Sequence, residues 1–193
     1  RNVEEAYREG GARDLAFRTI AGGGFNSTVL HYHANDQPLV PGELVCLDSG
    51  AKWCGYSADV TRTLPVSGRF SPRQREVYEL VLKAQEAAIR ACRPGRRLHE
   101  IDEAGRAVIR KAGLADFFPH GMGHHLGLET HDASPDEPLA EGAVVTIEPG
   151  IYLQDERIGI RIEDDVLVTR RGPRVLTSHI PKSVSDIERM MRR

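Results

Sequence analysis

Four carboxylates lie within or beside apolar, strand-like stretches of this chain: Asp48 and Asp59, then Glu148 and Glu163. Asp48 follows Leu44-Val45-Cys46-Leu47. Glu148 follows Val144-Val145-Thr146-Ile147, a run apolar on both faces and typical of strands covered on both sides. A hairpin with its turn centred between Trp53 and Cys54 sets Asp48 opposite Asp59. One centred between Asp155 and Glu156 sets Glu148 opposite Glu163. Opposed Cβ atoms in an antiparallel pair are about 4.5–5.5 Å apart. Two like charges at that spacing, and desolvated, either retain a proton or require a cation. Solvated acids on an exposed sheet face are the bland reading, which the apolar context disfavours. Two such pairs at equivalent places predict one shared, metal-filled centre.

Histidines supply the complementary chemistry. His31 and His33 lie early, and His120, His124, His125 and His131 fall within a dozen residues. A spacing of four between His120 and His124 would suit a helical zinc-binding pair. Glycines at 121, 123 and 127 oppose a helix there and predict a looping segment that brings backbone close to a ligand. One imidazole then completes the metal site, leaving others for substrate contact and proton transfer. Four carboxylates and one imidazole form a hard ligand set that favours Mn, Fe or Co over thiolate-bound zinc. Charge balance predicts two divalent ions. Such a pair, about 3.5–4 Å apart, activates a hydroxide and polarises a carbonyl, so the chemistry is metal-assisted hydrolysis.

The elements that must position these groups form a faint repeat. Residues 41–50 align with residues 141–150, matching Gly42 with Gly142, Val45 with Val145, Asp48 with Glu148 and Gly50 with Gly150. A helix is predicted over residues 2–9, stopped by Gly10-Gly11, and residues 15–33 read as mostly extended with an interruption at Gly22-Gly23-Gly24. Strands are predicted at 44–47, 60–64, 143–152 and 158–168. Ser71-Pro72 opens a long helix that Pro94-Gly95 ends. Val77, Leu80, Val81, Ala84, Ala87 and Ala88 give it an apolar stripe. A second helix covers about 98–112, and a short one starts at Ser183. The first half has no counterpart of the long helix, so the chain is expected to lack an N-terminal helix of a longer parent.

Composition narrows the class. The 193 residues carry 26 Lys and Arg against 28 Asp and Glu, a formal charge of -2, which argues against nucleic-acid binding. No apolar run approaches the roughly 20 residues that span a bilayer, and no signal peptide opens the chain. Three cysteines without metal spacing suit a reducing compartment, so a cytoplasmic location is expected.

Five motifs together resemble a known family: Asp48-Ser49-Gly50, Ser57-Ala58-Asp59-Val60-Thr61-Arg62-Thr63, His120-Gly121-Met122-Gly123-His124, Thr146-Ile147-Glu148-Pro149-Gly150 and Arg161-Ile162-Glu163-Asp164-Asp165. From about Thr19 to Met191 the chain is similar to the catalytic domain of the Xaa-Pro aminopeptidase (aminopeptidase P) and prolidase family of pita-bread metallopeptidases. The resemblance implies an α+β pita-bread (creatinase/aminopeptidase) fold with two pseudo-symmetric halves around an antiparallel sheet. It implies one N-terminally truncated catalytic domain over 1–193, halves at about 1–70 and 71–193, without the family's N-terminal domain. It places five metal ligands on Asp48, Asp59, His124, Glu148 and Glu163, with Glu148 also the general base. His31 and His131 look like substrate-binding and proton-moving groups, His120 like a substrate-side group, and Arg161 like an aid to substrate binding. The implied cofactor is two divalent ions, Mn first, with Co, Fe or Zn as alternatives. The implied reaction is hydrolysis of the N-terminal Xaa-Pro bond of a peptide with proline second. Dipeptide-limited prolidase is the alternative, and a non-catalytic binding module is disfavoured because all five ligands are kept. No nucleic-acid or membrane partner is expected, and homo-oligomerisation stays open. Glu129-Thr130 departs from the family's aspartate and valine, and the loop from His131 to Leu139 is short.

Overall fold

The computed structural model describes residues 2–133 and 136–192, so the short loop after His131 falls partly outside it, at 134 and 135. Helices α1 (Asn2–Glu9), α2 (Pro72–Ala91), α3 (Leu98–Lys111) and α4 (Val184–Met190) follow the predicted boundaries closely. Local chemistry explains the starts. The Ser71 side chain accepts from the Gln74 amide while the Gln74 side chain accepts from the Ser71 amide, and Pro72 needs no partner at the first turn. Ser183 caps α4 by accepting from Asp186.

The strands are β1 (Asp14–Leu15), β2 (Ile20–Gly23), β3 (Leu44–Ser49), β4 (Ala51–Trp53), β5 (Tyr56–Ser57), β6 (Val60–Pro65), β7 (Val144–Ile147), β8 (Gly150–Leu153), β9 (Ile158–Arg161), β10 (Asp164–Leu167) and β11 (Arg174–Val175). Every pairing among them is antiparallel. Instead of one continuous sheet they form the groups β1-β4-β5, β2-β3-β6, β11-β10-β7 and β8-β9. Each half carries a long hairpin broken midway: at Gly50 and Ala58-Asp59 in the first, at Glu148-Pro149 and Ile162-Glu163 in the second. The acids sit at these breaks.

The second hairpin has the predicted register. Ile147 faces Asp164 on one side of the break and Gly150 faces Arg161 on the other, so Glu148 and Glu163 depart from the ladder at matching points. The first hairpin does not. Asp48 faces Thr61, and Lys52 faces Ser57, so Asp59 is a diagonal neighbour of Asp48 rather than its opposite. The cause is the turn: Cys54 and Gly55 both hold positive φ, 50° and 87°, and form a two-residue connection centred one residue later than expected. The stretch from 15 to 33 also differs from its extended prediction. Gly22 and Gly23 pair within β2, and the interruption is a 3-10 turn at Gly24–Thr28. Gly22 permits it, because a Cβ there would lie 2.4 Å from the Asn26 carbonyl oxygen.

The apolar face of α2 (Val77, Tyr78, Val81, Ala84 and Ala88) packs with Ile101 and Ile109 of α3 against Val145, Ile147, Ile151, Ile160 and Val166 of the second hairpin. Strands β8 and β9 are buried at every position, in keeping with an apolar pattern that only Arg161 interrupts. The halves are joined by backbone and side chain together. Thr61 accepts from the Glu163 amide at 3.1 Å. The Thr63 hydroxyl donates to the Arg161 carbonyl and accepts from the Arg161 amide. Gly159 abuts the 3-10 turn so closely that a Cβ would lie 1.9 Å from the Ser27 carbonyl oxygen. Gly159→Ala is therefore expected to cost about 1–3 kcal/mol by overpacking, read as a lowered urea midpoint. An unchanged midpoint would mean that the two segments separate freely.

Candidate metal centre

A cavity of about 720 Å³ opens where the two broken hairpins meet the glycine-rich histidine segment. All nine predicted site residues line it: His31, Asp48, Asp59, His120, His124, His131, Glu148, Arg161 and Glu163. The segment from 118 to 133 forms no helix, in keeping with its glycines. It runs beside the strands through a bridge between His125 and Val145 and backbone bonds from the Thr146 and Glu148 amides to the His124 and Met122 carbonyls. Gly123 is required there, since a Cβ would lie 1.9 Å from the Thr146 carbonyl oxygen.

Asp59, His124 and Glu163 each offer a ligand atom within 4.8 Å of the others. His124 Nε2 lies 3.6 Å from Asp59 Oδ2 and 3.5 Å from Glu148 Oε1. Its Nδ1 lies 3.0 Å from the His125 carbonyl, which only accepts, so Nδ1 carries the proton and the Nε2 lone pair faces the carboxylates. His120 is fixed in the same way, Nδ1 donating to the Gly121 carbonyl and Nε2 accepting from the Tyr152 hydroxyl at 2.8 Å. His131 stands edge-on to His124 with ring centroids 4.3 Å apart, and His31 stacks near His33 at 6.1 Å.

Arg161 is the least accessible of the four expected groups that are not expected ligands. It is 4% exposed and donates to Asp48 Oδ2 at 2.8 Å, to the Tyr152 hydroxyl at 3.0 Å and to Thr61 Oγ1 at 3.2 Å. The group expected from sequence to aid substrate binding is thus a guanidinium already bound to Asp48. Three other residues join the site without having been expected. Thr61 donates to Glu163 Oε2 at 2.7 Å, and Tyr152 links Arg161 to His120. Asp165 accepts from the Asp59 amide at 3.3 Å. The signal for Thr61 and Asp165 was their place inside the quoted motifs; Tyr152 carried none.

The electrostatics call for retained protons or a bound cation. Burial, with the charges of Asp48 and Glu148 added, pushes the Asp59 carboxyl up to about 9. Burial raises Glu148 to about 7 against the opposing pull of Arg161, and lifts Glu163 well above the usual carboxylate range. Burial lowers His124 and takes His120 down to about 4, keeping both imidazoles neutral and able to act through a lone pair. Asp48 Oδ1 and Asp59 Oδ1 are buried with no hydrogen-bond partner among the described residues. Unpaired buried carboxylate oxygens are costly, and a divalent ion satisfies them at once. The donor set fits a hard divalent metal.

The model of one family, described as metallopeptidase family M24, matches residues 1–170. The chain belongs to metallopeptidase family M24. Among curated relatives, the Xaa-Pro aminopeptidase of Haemophilus influenzae is 41% identical over 214 residues, covering 93% of this chain and 49% of that protein. The Xaa-Pro dipeptidase of Pyrococcus furiosus is 43% identical over 180 residues, covering 91% of this chain and 51% of that protein. A solved structure of zinc-substituted Escherichia coli aminopeptidase P in complex with product superposes with a TM-score of 0.93 at 34% identity, over 98% of this chain and 50% of that one. The M24 chain therefore has the pita-bread fold of aminopeptidase P, and it spans about half the length of the relatives it matches. Membership of M24 makes it a metallopeptidase-family chain, and its Asp59, His124 and Glu163 form a group able to hold a metal ion. Among the described residues, no helix is long and apolar enough to cross a membrane.

Proposed function

We propose that this M24 chain hydrolyses the N-terminal Xaa-Pro bond of peptides as a metal-dependent aminopeptidase, working as one catalytic unit with halves at about 1–70 and 71–193. The observation that carries the reading is the convergence of buried carboxylates on the His124 lone pair, with two carboxylate oxygens left without partners. Asp48, Asp59, His124, Glu148 and Glu163 would hold two divalent ions, for which Mn is our first choice over Co, Fe and Zn. Those ions, when bound, supply Lewis-acid polarisation of the scissile carbonyl and a lowered pKa for the attacking water. Glu148, at the cavity wall, takes the proton from that water at a carboxylate oxygen. His131 and His31 face the same cavity and serve to bind the peptide and to steady the oxyanion. One of them protonates the proline nitrogen, a poor leaving group until it gains a proton. His120, kept neutral by burial, contacts substrate. Arg161 orients Asp48 and binds substrate through whatever donor capacity that pairing leaves. Three unpaired cysteines suit a reducing compartment, the cytoplasm first among them.

Prolidase activity is the second reading, favoured by the 43% identity to a dipeptidase. Metal-stripped protein given Mn separates the two when offered Xaa-Pro and Xaa-Pro-Yaa. Release of the first residue from the tripeptide is expected. Cleavage of the dipeptide alone would establish the second reading, and cleavage of neither would remove both.

A further inference from the structure

Gln85 is a polar side chain on the buried face of α2, fully buried, outside the cavity lining and unused by the chemistry above. Its surroundings give it a task. Its Nε2 donates to the Ile147 carbonyl at 3.2 Å, to the Ile162 carbonyl at 3.2 Å and to Asp164 Oδ2 at 3.1 Å. Ile147 and Ile162 are the residues immediately before Glu148 and Glu163. An amide carries two N–H donors, so three acceptors leave one hydrogen shared.

The Ile162 carbonyl has room for Gln85 because the ladder is broken opposite Pro149. Between the Ile147–Asp164 and Gly150–Arg161 pairs, the Glu148 amide is diverted to the Met122 carbonyl and the Glu163 amide to Thr61. Pro149 has no N–H to give. The Ile162 amide donates to the Pro149 carbonyl at 3.3 Å and receives nothing back, so the break leaves the Ile162 carbonyl without its ladder donor, and one amide reaches it together with the Ile147 carbonyl. The amide is itself fixed. Lys182 Nζ donates to Gln85 Oε1 at 2.9 Å and to Asp164 Oδ2 at 2.6 Å. Asp164 is fully buried and also accepts from Arg62 Nη2 at 2.7 Å, and Arg62 Nη1 donates to the Glu163 carbonyl at 2.5 Å.

We propose that Gln85 is a positioning residue for the metal centre, clamping the backbone on which Glu148 and Glu163 are both mounted so that their carboxylates converge. This rests on the metal-centre reading above. Outer partners of metal ligands typically contribute about 10–100-fold in affinity, and this one serves two ligands together.

The test is calorimetric titration of Mn(II) into the metal-stripped full chain, well below its melting temperature. Gln85→Met keeps the approximate volume and removes every polar contact. Gln85→Glu keeps the volume and the Lys182 contact while removing the N–H donors, and serves where the first variant does not fold. Either variant, once folded by circular dichroism, is expected to bind Mn about 10–100-fold more weakly at unchanged stoichiometry. A lowered melting temperature with wild-type Mn affinity would assign Gln85 to packing alone and overturn the proposal. Absence of Mn binding by the wild-type chain would instead remove the metal centre, and this inference with it.

Discussion

Glu148→Gln is expected to reduce kcat on an Xaa-Pro-Yaa peptide by about 10²–10⁴-fold, the usual contribution of a general base, while leaving the chain folded. Glutamine matches the shape of the side chain and keeps one oxygen, so the hairpin break and the His124 contact at 3.5 Å lose little. What disappears is the capacity to receive a proton from water. Burial already raises the Glu148 carboxyl to about 7, the range in which a base both releases and gathers protons near neutral pH. Metal content must be measured in the same sample, because Glu148 is also a proposed ligand. Normal turnover with metal bound would move the base role to another residue. Lost turnover with lost metal would be a ligand effect, and Mn titrated to saturation separates the two.

Removal of the metal is the second large effect. The chelated protein is expected to melt on the order of 10 °C below the Mn-loaded protein. A ligand at about 1,000 times its Kd stabilises the folded state by about 4 kcal/mol, and a chain of this size shifts by roughly 2–4 °C per kcal/mol. The gap should widen as pH rises. Asp59, Glu148 and Glu163 have carboxyls raised above their ordinary values, so the metal-free fold retains protons that the unfolded chain has shed and weakens as pH climbs through that interval. Binding a cation releases those protons, so metal affinity grows in the same direction. Differential scanning calorimetry at pH 6 and pH 8, with and without Mn, reads both effects. Equal melting temperatures in all four samples would show that the carboxylate cluster holds no metal.

Chemistry was more legible in the sequence than geometry. The acids stood out because an apolar run tolerates them poorly, and the hundred-residue repeat tied Asp48 to Glu148. The Glu148–Glu163 register followed from symmetry about a four-residue loop, and the structure has it. The Asp48–Asp59 register missed because two residues in the left-handed region, Cys54 and Gly55, make the tightest connection, and only the glycine advertises it. Gln85 left a readable trace: it follows Val81 by one helical turn, a polar residue amid the apolar stripe of the helix middle. Tyr152 left none, since an aromatic in a buried strand is ordinary core until its hydroxyl is seen between His120 and Arg161. Arg161 read as a group facing substrate because sequence cannot show that Asp48 already occupies it.

The bond from Thr61 to Glu163 spans 102 residues of chain, and the Gln85 contact to Ile162 spans 77. Closing loops of that length is entropically late, after local helices and hairpins have formed. Neither hairpin alone carries the whole ligand set, so a metal ion meets only half a site on any half-folded chain. An ion held there would therefore lock the finished fold and not template it, and refolding rates should be indifferent to metal while unfolding rates fall when it is present.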